Sequence, residues 1–354
     1  MTAKPAPGTL RIGVIGTGFG QAVHIPAFQA TAGVEVVAIA ASRLDAARKV
    51  ADKFGIEHAF SDYATLLDQV ELDAVSLALP PAVGTEAVKM ALAKGLAVLT
   101  EKPLAPTVGQ ARELAALAQG RIASVNFGFA ELDCFRQLKG FIESRRFGGV
   151  RTVHVIWRSH SYAHRHAIWS WKLDRTRNGG VMVALGTHVL YLLDWLFGKV
   201  SIDHARFESR ATEAIAPAGA TAAEDGVDFL FRFESGGVGH ASLSNASPGC
   251  ADHRWEIVFD AGKLVIGREG AGHMSGFSMR FHDDLGNRLE LLPAISAAEG
   301  VDDRLPPFRS LAARFIESVR TRQPCQPDFA AGARVQQLHD DMRHEPAQTI
   351  RGSA

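Results

Sequence analysis

Gly16-Thr17-Gly18-Phe19-Gly20-Gln21 is the first group in the chain whose residue types and spacing could do chemistry. It follows the apolar run Leu10 to Ile15 and opens a helical pattern. Where a strand hands over to a helix, backbone N–H groups and the helix dipole can hold a pyrophosphate. Gln21 stands where the third glycine of G-x-G-x-x-G would fall. Gly16, Thr17, Gly18, Phe19 and Gly20 are therefore candidate cofactor contacts. A plain tight turn is the other reading, and the flanking strands argue against it. The end of the second strand normally offers an acid to the ribose hydroxyls about 20 residues past the glycines. Here the segment is Ala40-Ala41-Ser42-Arg43, with no acid. A hydroxyl followed by a guanidinium suits a 2′-phosphate, which predicts NADP as the preferred cofactor, with NAD as the alternative. Arg43 can also be read as a solvated residue ahead of a helix capped by Ser42 or Asp45.

Thr100-Glu101-Lys102-Pro103 lies just past another strand pattern, at the edge where doubly wound sheets bind ligands. Lys102 is expected to face the pocket there, in a turn whose backbone Pro103 restricts. An ordinary surface lysine is the plain alternative. Further on come Arg158, His160, Tyr162, His164, Arg165, His166, Trp169, Trp171, Lys172 and Arg177. Ring faces pack on C–H surfaces and cations pair with carboxylate or phosphate, so this stretch predicts a cationic pocket for a polyhydroxylated or anionic ligand. Arg158, Trp169 and Lys172 are its candidate contacts, although any one of them can instead be core or solvated. His164 and His166 would share a face in extended chain, but no nearby Cys or acid completes a ligand set, and no metal is expected. The triplets His282-Asp283-Asp284 and His339-Asp340-Asp341 read as solvated faces.

Positioning these residues requires two kinds of sheet. From Leu10 to about Phe129, nearly unbroken apolar runs at Leu10–Ile15, Val34–Ala40, His58–Phe60, Ala74–Leu79, Ala97–Thr100 and Ile122–Phe127 alternate with helical patterns. That rhythm predicts a doubly wound parallel α/β sheet, a Rossmann domain over residues 1–129. Beyond Phe135, hairpin signals at Glu234–Gly237, Asp260–Gly262 and Asp283–Asn287 separate alternating runs, which predicts an α+β domain over 130–354 with a large, mostly antiparallel open sheet. Val181 to Phe197 reads as one buried amphipathic helix, interrupted for a membrane span by Gly186, His188 and Asp194. Two final helices, Ser310–Arg320 and Ala330–His344, are separated by Pro324 and Pro327.

The 354 residues suggest two domains at roughly 150 each, with three possible. Thirty-eight Lys and Arg cancel 38 Asp and Glu, which argues against nucleic acid or an anionic membrane as partner. With 47% hydrophobic and 21% charged residues, the chain has the composition of a folded protein. Three scattered cysteines fit neither a disulfide framework nor a thiolate metal site, and residues 1–10 lack a signal-peptide core, so a reducing cytoplasm is expected.

GTGFGQAVH at Gly16–His24, the pair Pro80-Pro81, Glu101-Lys102-Pro103 and GGVMVALGTH at Gly179–His188 occur in this order, and the chain resembles the Gfo/Idh/MocA oxidoreductases over nearly its whole length. The resemblance implies NAD(P) and redox chemistry on a sugar, cyclitol or related polyol. It implies that Pro80 and Glu101 lie on the cofactor and that Lys102 touches cofactor and substrate, with a cis Lys102–Pro103 peptide allowed. It also makes His188 the candidate that accepts the substrate hydroxyl proton, an imidazole being suited to exchange at neutral pH. Lys102 and His188 are thus expected to converge on the nicotinamide. The family pattern has an Asp four residues before this histidine, and here that position is Ala184; relatives often place a His where this chain has Gly84. His188 can alternatively be a core histidine beside Leu185, Tyr191 and Leu192. Ala184 favours one other function, a nucleotide-binding sensor or regulator with weakened turnover; a third is a hydrolase or lyase that uses the nicotinamide in a closed redox cycle, as some relatives do with glycosides. The open sheet predicts a homodimer or homotetramer joined through it.

Overall fold

In the computed structural model, which describes residues 8–268 and 272–344, the apolar runs of the first third form a six-stranded sheet. Its strands are β1 (Leu10–Ile15), β2 (Val34–Ala40), β3 (His58–Phe60), β4 (Ala74–Leu77), β5 (Ala97–Thr100) and β6 (Ala123–Val125). All pair in parallel, in the order β3-β2-β1-β4-β5-β6. β4 and β5 are buried along their whole length, as strands covered by helices on both faces must be. The strand order reverses between β1 and β4, and beyond the carboxyl ends of such a pair lies the crevice where open α/β sheets take ligands. β4 and β6 stop two residues before the expected ends, and the released residues build the loops at that edge.

The chain divides into two compact units that are not contiguous in sequence. Of the described residues, the first unit holds those through Leu132, then Gly272–Ser275 and Ser296–Gln336; the others form the second. A single boundary near residue 130 therefore misses a return of the chain. The reason is apolar burial: helix Leu305–Thr321 places Phe308, Leu311, Phe315 and Ile316 in one core with Ile12, Val14, Val23, Ile25 and Phe28. Each such side chain contributes about 1.5–3 kcal/mol when fully buried.

The second unit is built on eight strands: β7 (Val150–His160), β8 (Val200–Glu208), β9 (Gly226–Phe233), β10 (Val238–Ser244), β11 (Ala246–Phe259), β12 (Gly262–Arg268), β13 (Ser278–His282) and β14 (Arg288–Leu292). Their order is β14-β13-β12-β11-β7-β10-β9-β8, antiparallel except where β10 meets β7 in parallel. The three expected hairpins are present between β9 and β10, β11 and β12, and β13 and β14. β11 starts nine residues earlier than the Trp255–Phe259 run suggests, through a register shift between Ala246 and Ala251 that carries it past Pro248 and Gly249. One face of the sheet is covered, burying Val153, Val155, Trp157, Trp255 and Ile257. The other face is more open, with Leu230 at 49% and Val238 at 51% exposure. Arg175–Phe197 is the one helical stretch among the described residues long and apolar enough to cross a membrane, and most of it is buried.

Candidate active site

At the carboxyl end of β1 the three glycines have different tasks. Gly16 has φ +108°, and a Cβ there would overlap the Ala78 carbonyl oxygen. Its N–H donates to Ala40 O at 2.8 Å, which ties the loop to β2. Gly18 is exposed with open space where a side chain would project, so a phosphate can approach its backbone. Gly20 packs closely, a Cβ lying 3.3 Å from Val14 Cγ1 and 3.6 Å from Ala78 Cβ. Gly20 thereby supplies the helix-to-strand contact usually made by the third glycine, which leaves Gln21 unconstrained. The helix opens with a π-helical turn, Gly20–His24. Thr17 is half-buried, and the Phe19 ring meets His24 and Phe308 edge-on while the Arg304 guanidinium lies over it at 4.9 Å. Pro80, exposed at the end of the loop after β4, caps helix Pro81–Ala93 through its carbonyl, which accepts from Val83 N and Gly84 N. Gly84 is buried within that helix.

Past β2, Ser42 and Arg43 are both exposed. Arg43 itself is the N-cap of helix Leu44–Phe54, with no capping side chain, so neither Ser42 nor Asp45 caps it. The Arg43 guanidinium forks onto Asp45, its Nε donating to Oδ1 at 3.0 Å. That hydrogen bond raises the Arg43 pKa and lowers that of Asp45. A 2′-phosphate would compete with a carboxylate already present on the same guanidinium.

Beyond β5 the Glu101-Lys102-Pro103 turn contains a cis Lys102–Pro103 peptide, and Lys102 is half-buried. Glu101 N donates to Leu77 O at 3.0 Å and Asn126 N to Thr100 O at 2.8 Å, so the ends of β4, β5 and β6 are laced together. A polar chain crosses the same edge. His24, fully buried, has Nδ1 2.8 Å from Ser76 Oγ and Nε2 3.1 Å from Glu101 Oε1. Asn126 Nδ2 donates to the same Glu101 oxygen at 2.6 Å. In the sequence His24 stands only as the last letter of a motif, and Ser76, Asn126 and Arg304 belong to none of the motifs singled out there. A hydroxyl in the apolar strand Ala74–Leu77 and an amide after Val125 were the available signals.

In the second unit, the glycine pair is required by close packing. A Cβ on Gly179 would strike the backbone of Trp171 and Lys172, and one on Gly180, at φ +119°, would strike the Glu224 carboxylate. Gly180 N donates to Lys172 O and Val181 N to Glu224 O. Glu224 is buried and pairs with Arg343 Nη2 at 2.8 Å. The expected single helix is two pieces: a π-helical turn, Met182–Gly186, followed by the α-helix Thr187–Phe197. Ala184 is exposed and His188 half-buried, whereas Thr187 and Val189 to Leu193 are buried. The His188 ring lies 6.2 Å from that of Trp157, which stacks on His253 at 3.8 Å. His253 accepts from Trp255 Nε1 at 3.0 Å, and burial, with Arg268 adding to it, pushes its pKa well below the usual imidazole range.

The remaining candidates separate. Arg158 follows Trp157 along β7, so its side chain leaves the sheet on the opposite face, where Nη2 donates to Ser242 Oγ at 3.2 Å. It does not share a face with Trp157 and His188. Trp169 is half-buried and Lys172 exposed, both in the segment leading to Gly179. His164 sits in the short helix Tyr162–Arg165, bonded to Ser161 Oγ and Thr212 Oγ1, so it and His166 do not form the extended-chain pair. Desolvation lowers the His164 pKa. Among the described residues no cluster of three or more His, Cys, Asp or Glu side chains could hold a metal. His339 departs from the solvated reading: it is buried, accepts from Arg343 Nε at 3.3 Å, and burial pushes its pKa down to about 3.

Known proteins share this fold. Residues 10–129 match the Gfo/Idh/MocA oxidoreductase family, NAD-binding Rossmann fold, and residues 135–265 match the Gfo/Idh/MocA C-terminal domain. The uncharacterized oxidoreductase sll0816 of Synechocystis sp. is 28% identical over 96% of this chain and 94% of its own. A levoglucosan dehydrogenase solved with NADH and L-sorbose superposes with a TM-score of 0.82 at 21% identity, covering 94% of this chain and 96% of that one; a levoglucosan dehydrogenase of Pseudarthrobacter phenanthrenivorans is also among the relatives in sequence, 24% identical over 73% of this chain and 74% of its own. A mutant of KijD10, a 3-ketoreductase from Actinomadura kijaniata solved with TDP-benzene and NADP, gives a TM-score of 0.72 at 22% identity, covering 94% and 96%. At these identities the structural likeness speaks for the fold.

Proposed function

The chain belongs to the Gfo/Idh/MocA oxidoreductase family, and from that premise we propose that it is a dehydrogenase interconverting an alcohol and a carbonyl on a sugar-like or cyclitol-like polyol, with NADP preferred over NAD. The observation that supports this reading is that the loop holding Gly18, where a Cβ would meet open space, and the Glu101-Lys102-Pro103 turn both follow the carboxyl ends of parallel strands of one sheet, β1 and β5. Gly16, Gly18 and Gly20 hold the pyrophosphate, Glu101 accepts from the nicotinamide-side half of the cofactor, and Ser42 and Arg43 receive the adenine ribose. The bound nicotinamide supplies the hydride acceptor or donor. Lys102 polarises the reacting oxygen, and His188 exchanges the hydroxyl proton. Trp169 and Lys172 contact the polyol. The open face of the second sheet, with Leu230 and Val238 among charged neighbours, supports association of copies into a dimer or tetramer.

Ala184 favours a second reading, a nucleotide-binding sensor that turns over weakly. Absorbance of the reduced nicotinamide, followed while sugars, cyclitols and sugar acids are offered with NADP or NAD, separates the two. Net reduction with at least one substrate, faster with NADP, is expected. Arg43→Ala should narrow the preference for NADP by about tenfold, the loss of one charge-assisted contact. Nucleotide binding without turnover supports the sensor, and glycoside cleavage without net absorbance change supports a closed redox cycle. No binding of any pyridine nucleotide sinks the reading.

A further inference from the structure

We propose that His24 is a positioning residue for the cofactor: it fixes the Glu101 carboxylate so that the acid presents one acceptor direction to a donor group of the bound nucleotide. This rests on the reading that the edge holds a pyridine nucleotide. The imidazole is fully buried among Val23, Ile25, Phe28 and Phe308, where an apolar ring would fill the same space without a desolvation cost. Its ring is held on two sides, stacked on Phe308 at 4.2 Å and 17° and met edge-on by Phe19 at 5.3 Å and 80°. Because a carboxylate only accepts, Nε2 carries a proton toward Glu101 Oε1. In the neutral ring, Nδ1 then accepts from the Ser76 hydroxyl.

Asn126 Nδ2 is the second donor on Oε1, and Asn126 is itself tied to β5 through Thr100 O. Two donors from different elements converge on one oxygen, so the carboxylate plane cannot turn freely. The Glu101 side chain keeps 18% of its surface exposed, which leaves a fixed acceptor for a ligand hydroxyl or amide N–H. The same contacts hold the backbone that carries Lys102. His24 acts through Glu101 and touches no ligand itself.

The test is NADPH and NADH titration of the full chain by fluorescence, with thermal melting of each variant. His24→Phe should weaken nucleotide binding about tenfold, as expected for losing a hydrogen bond to a charged group, and should lower the melting temperature modestly because the buried Ser76 hydroxyl loses its partner, with the chain still folded at assay temperature. His24→Gln, whose amide can still donate toward Glu101, should recover most of that loss. In a Glu101→Ala background, His24→Phe should have little further effect, because coupled residues are not additive. Affinity within twofold of wild type for His24→Phe, or full additivity with Glu101→Ala, overturns the proposal. If His24→Phe does not fold, Asn126→Ala decides: weaker nucleotide binding supports the fixed carboxylate, and unchanged binding overturns it. Failure of the wild-type chain to bind either nucleotide would instead remove the functional reading beneath it.

Discussion

Two histidines in this molecule lie at or just past π-helical turns, and their surroundings differ. His24 closes the turn Gly20–His24 in the first unit; His188 comes two residues after the turn Met182–Gly186 in the second. Such turns are rare and gather at functional sites, because the wider i→i+5 closure re-aims the side chains that follow. His24 has both ring nitrogens on protein partners and no exposure. His188 is partly exposed in helix Thr187–Phe197, and position 184, in the preceding π-helical turn, is alanine rather than a carboxylate. His24 thus has both ring nitrogens on protein partners in a fully buried setting, whereas His188 is only partly buried.

The comparison breaks most easily at His188. His188→Ala should lower turnover by roughly 10²- to 10⁴-fold, the range for removing a general acid–base, with the melting temperature unchanged. Loss of folding with turnover per folded molecule intact would make it a core histidine. Acid should sharpen the contrast between units. His253 and His339, both in the second unit, have pKa values lowered by burial, that of His339 to about 3. Below their ordinary value near 6.5 the unfolded chain binds protons that the folded chain refuses. Their stabilisation is therefore complete above pH 6.5 and is lost as pH falls toward the folded values, at up to about 1.4 kcal/mol per pH unit for each. All five tryptophans, at 157, 169, 171, 195 and 255, lie in the second unit. Urea melts followed by their fluorescence should show the midpoint dropping between pH 7 and pH 5, and His339→Gln should flatten that slope by about 2 kcal/mol over the interval. An equal slope in the variant would mean that His339 binds its proton as readily in the folded chain as in the unfolded one.

The sequence disclosed most where turn-forming or polar residues close an apolar run or where glycine is sterically required. β1, β2, β3 and β5 stand where their apolar runs begin and end, because residues such as Gly16, Gly33, Ser61 and Pro103 lie at or near the ends of those runs. The glycine loop was legible for a similar reason: only glycine fits beside the Ala78 carbonyl. Long-range facts were not legible. Helix Leu305–Thr321 has an ordinary amphipathic pattern, and nothing in it announces a return to the first core. The polar chain of His24 joins residues 52 and 77 positions away, so its imidazole gains meaning only after folding. His339 sits beside two aspartates that suggested solvent, but side-chain direction on the helix decides burial. Arg158 belonged to a promising run, yet strand alternation sends it to the far face. The π-helical turn at Met182–Gly186 hides inside a pattern that period counting reads as one continuous helix.

The smallest expected effect is the most informative about the comparison. Ala184 is exposed in the π-helical turn four residues before His188, so Ala184→Asp tests whether a carboxylate at this position reaches the imidazole. The lower helix propensity of Asp costs about 0.5 kcal/mol, and a negative charge near the helix N-terminus returns about as much, so stability should hardly move. An adjacent carboxylate favours the imidazolium and raises the pKa of His188. If His188 is the base, the acid limb of kcat/KM should shift upward by about half to one pH unit, with turnover rising no more than about tenfold. In the His188→Ala background the same substitution should leave the profile where it was. A limb that does not move in the single variant would uncouple position 184 from the proton transfer, and the orientation of His188 would then have to come from groups outside its own helix.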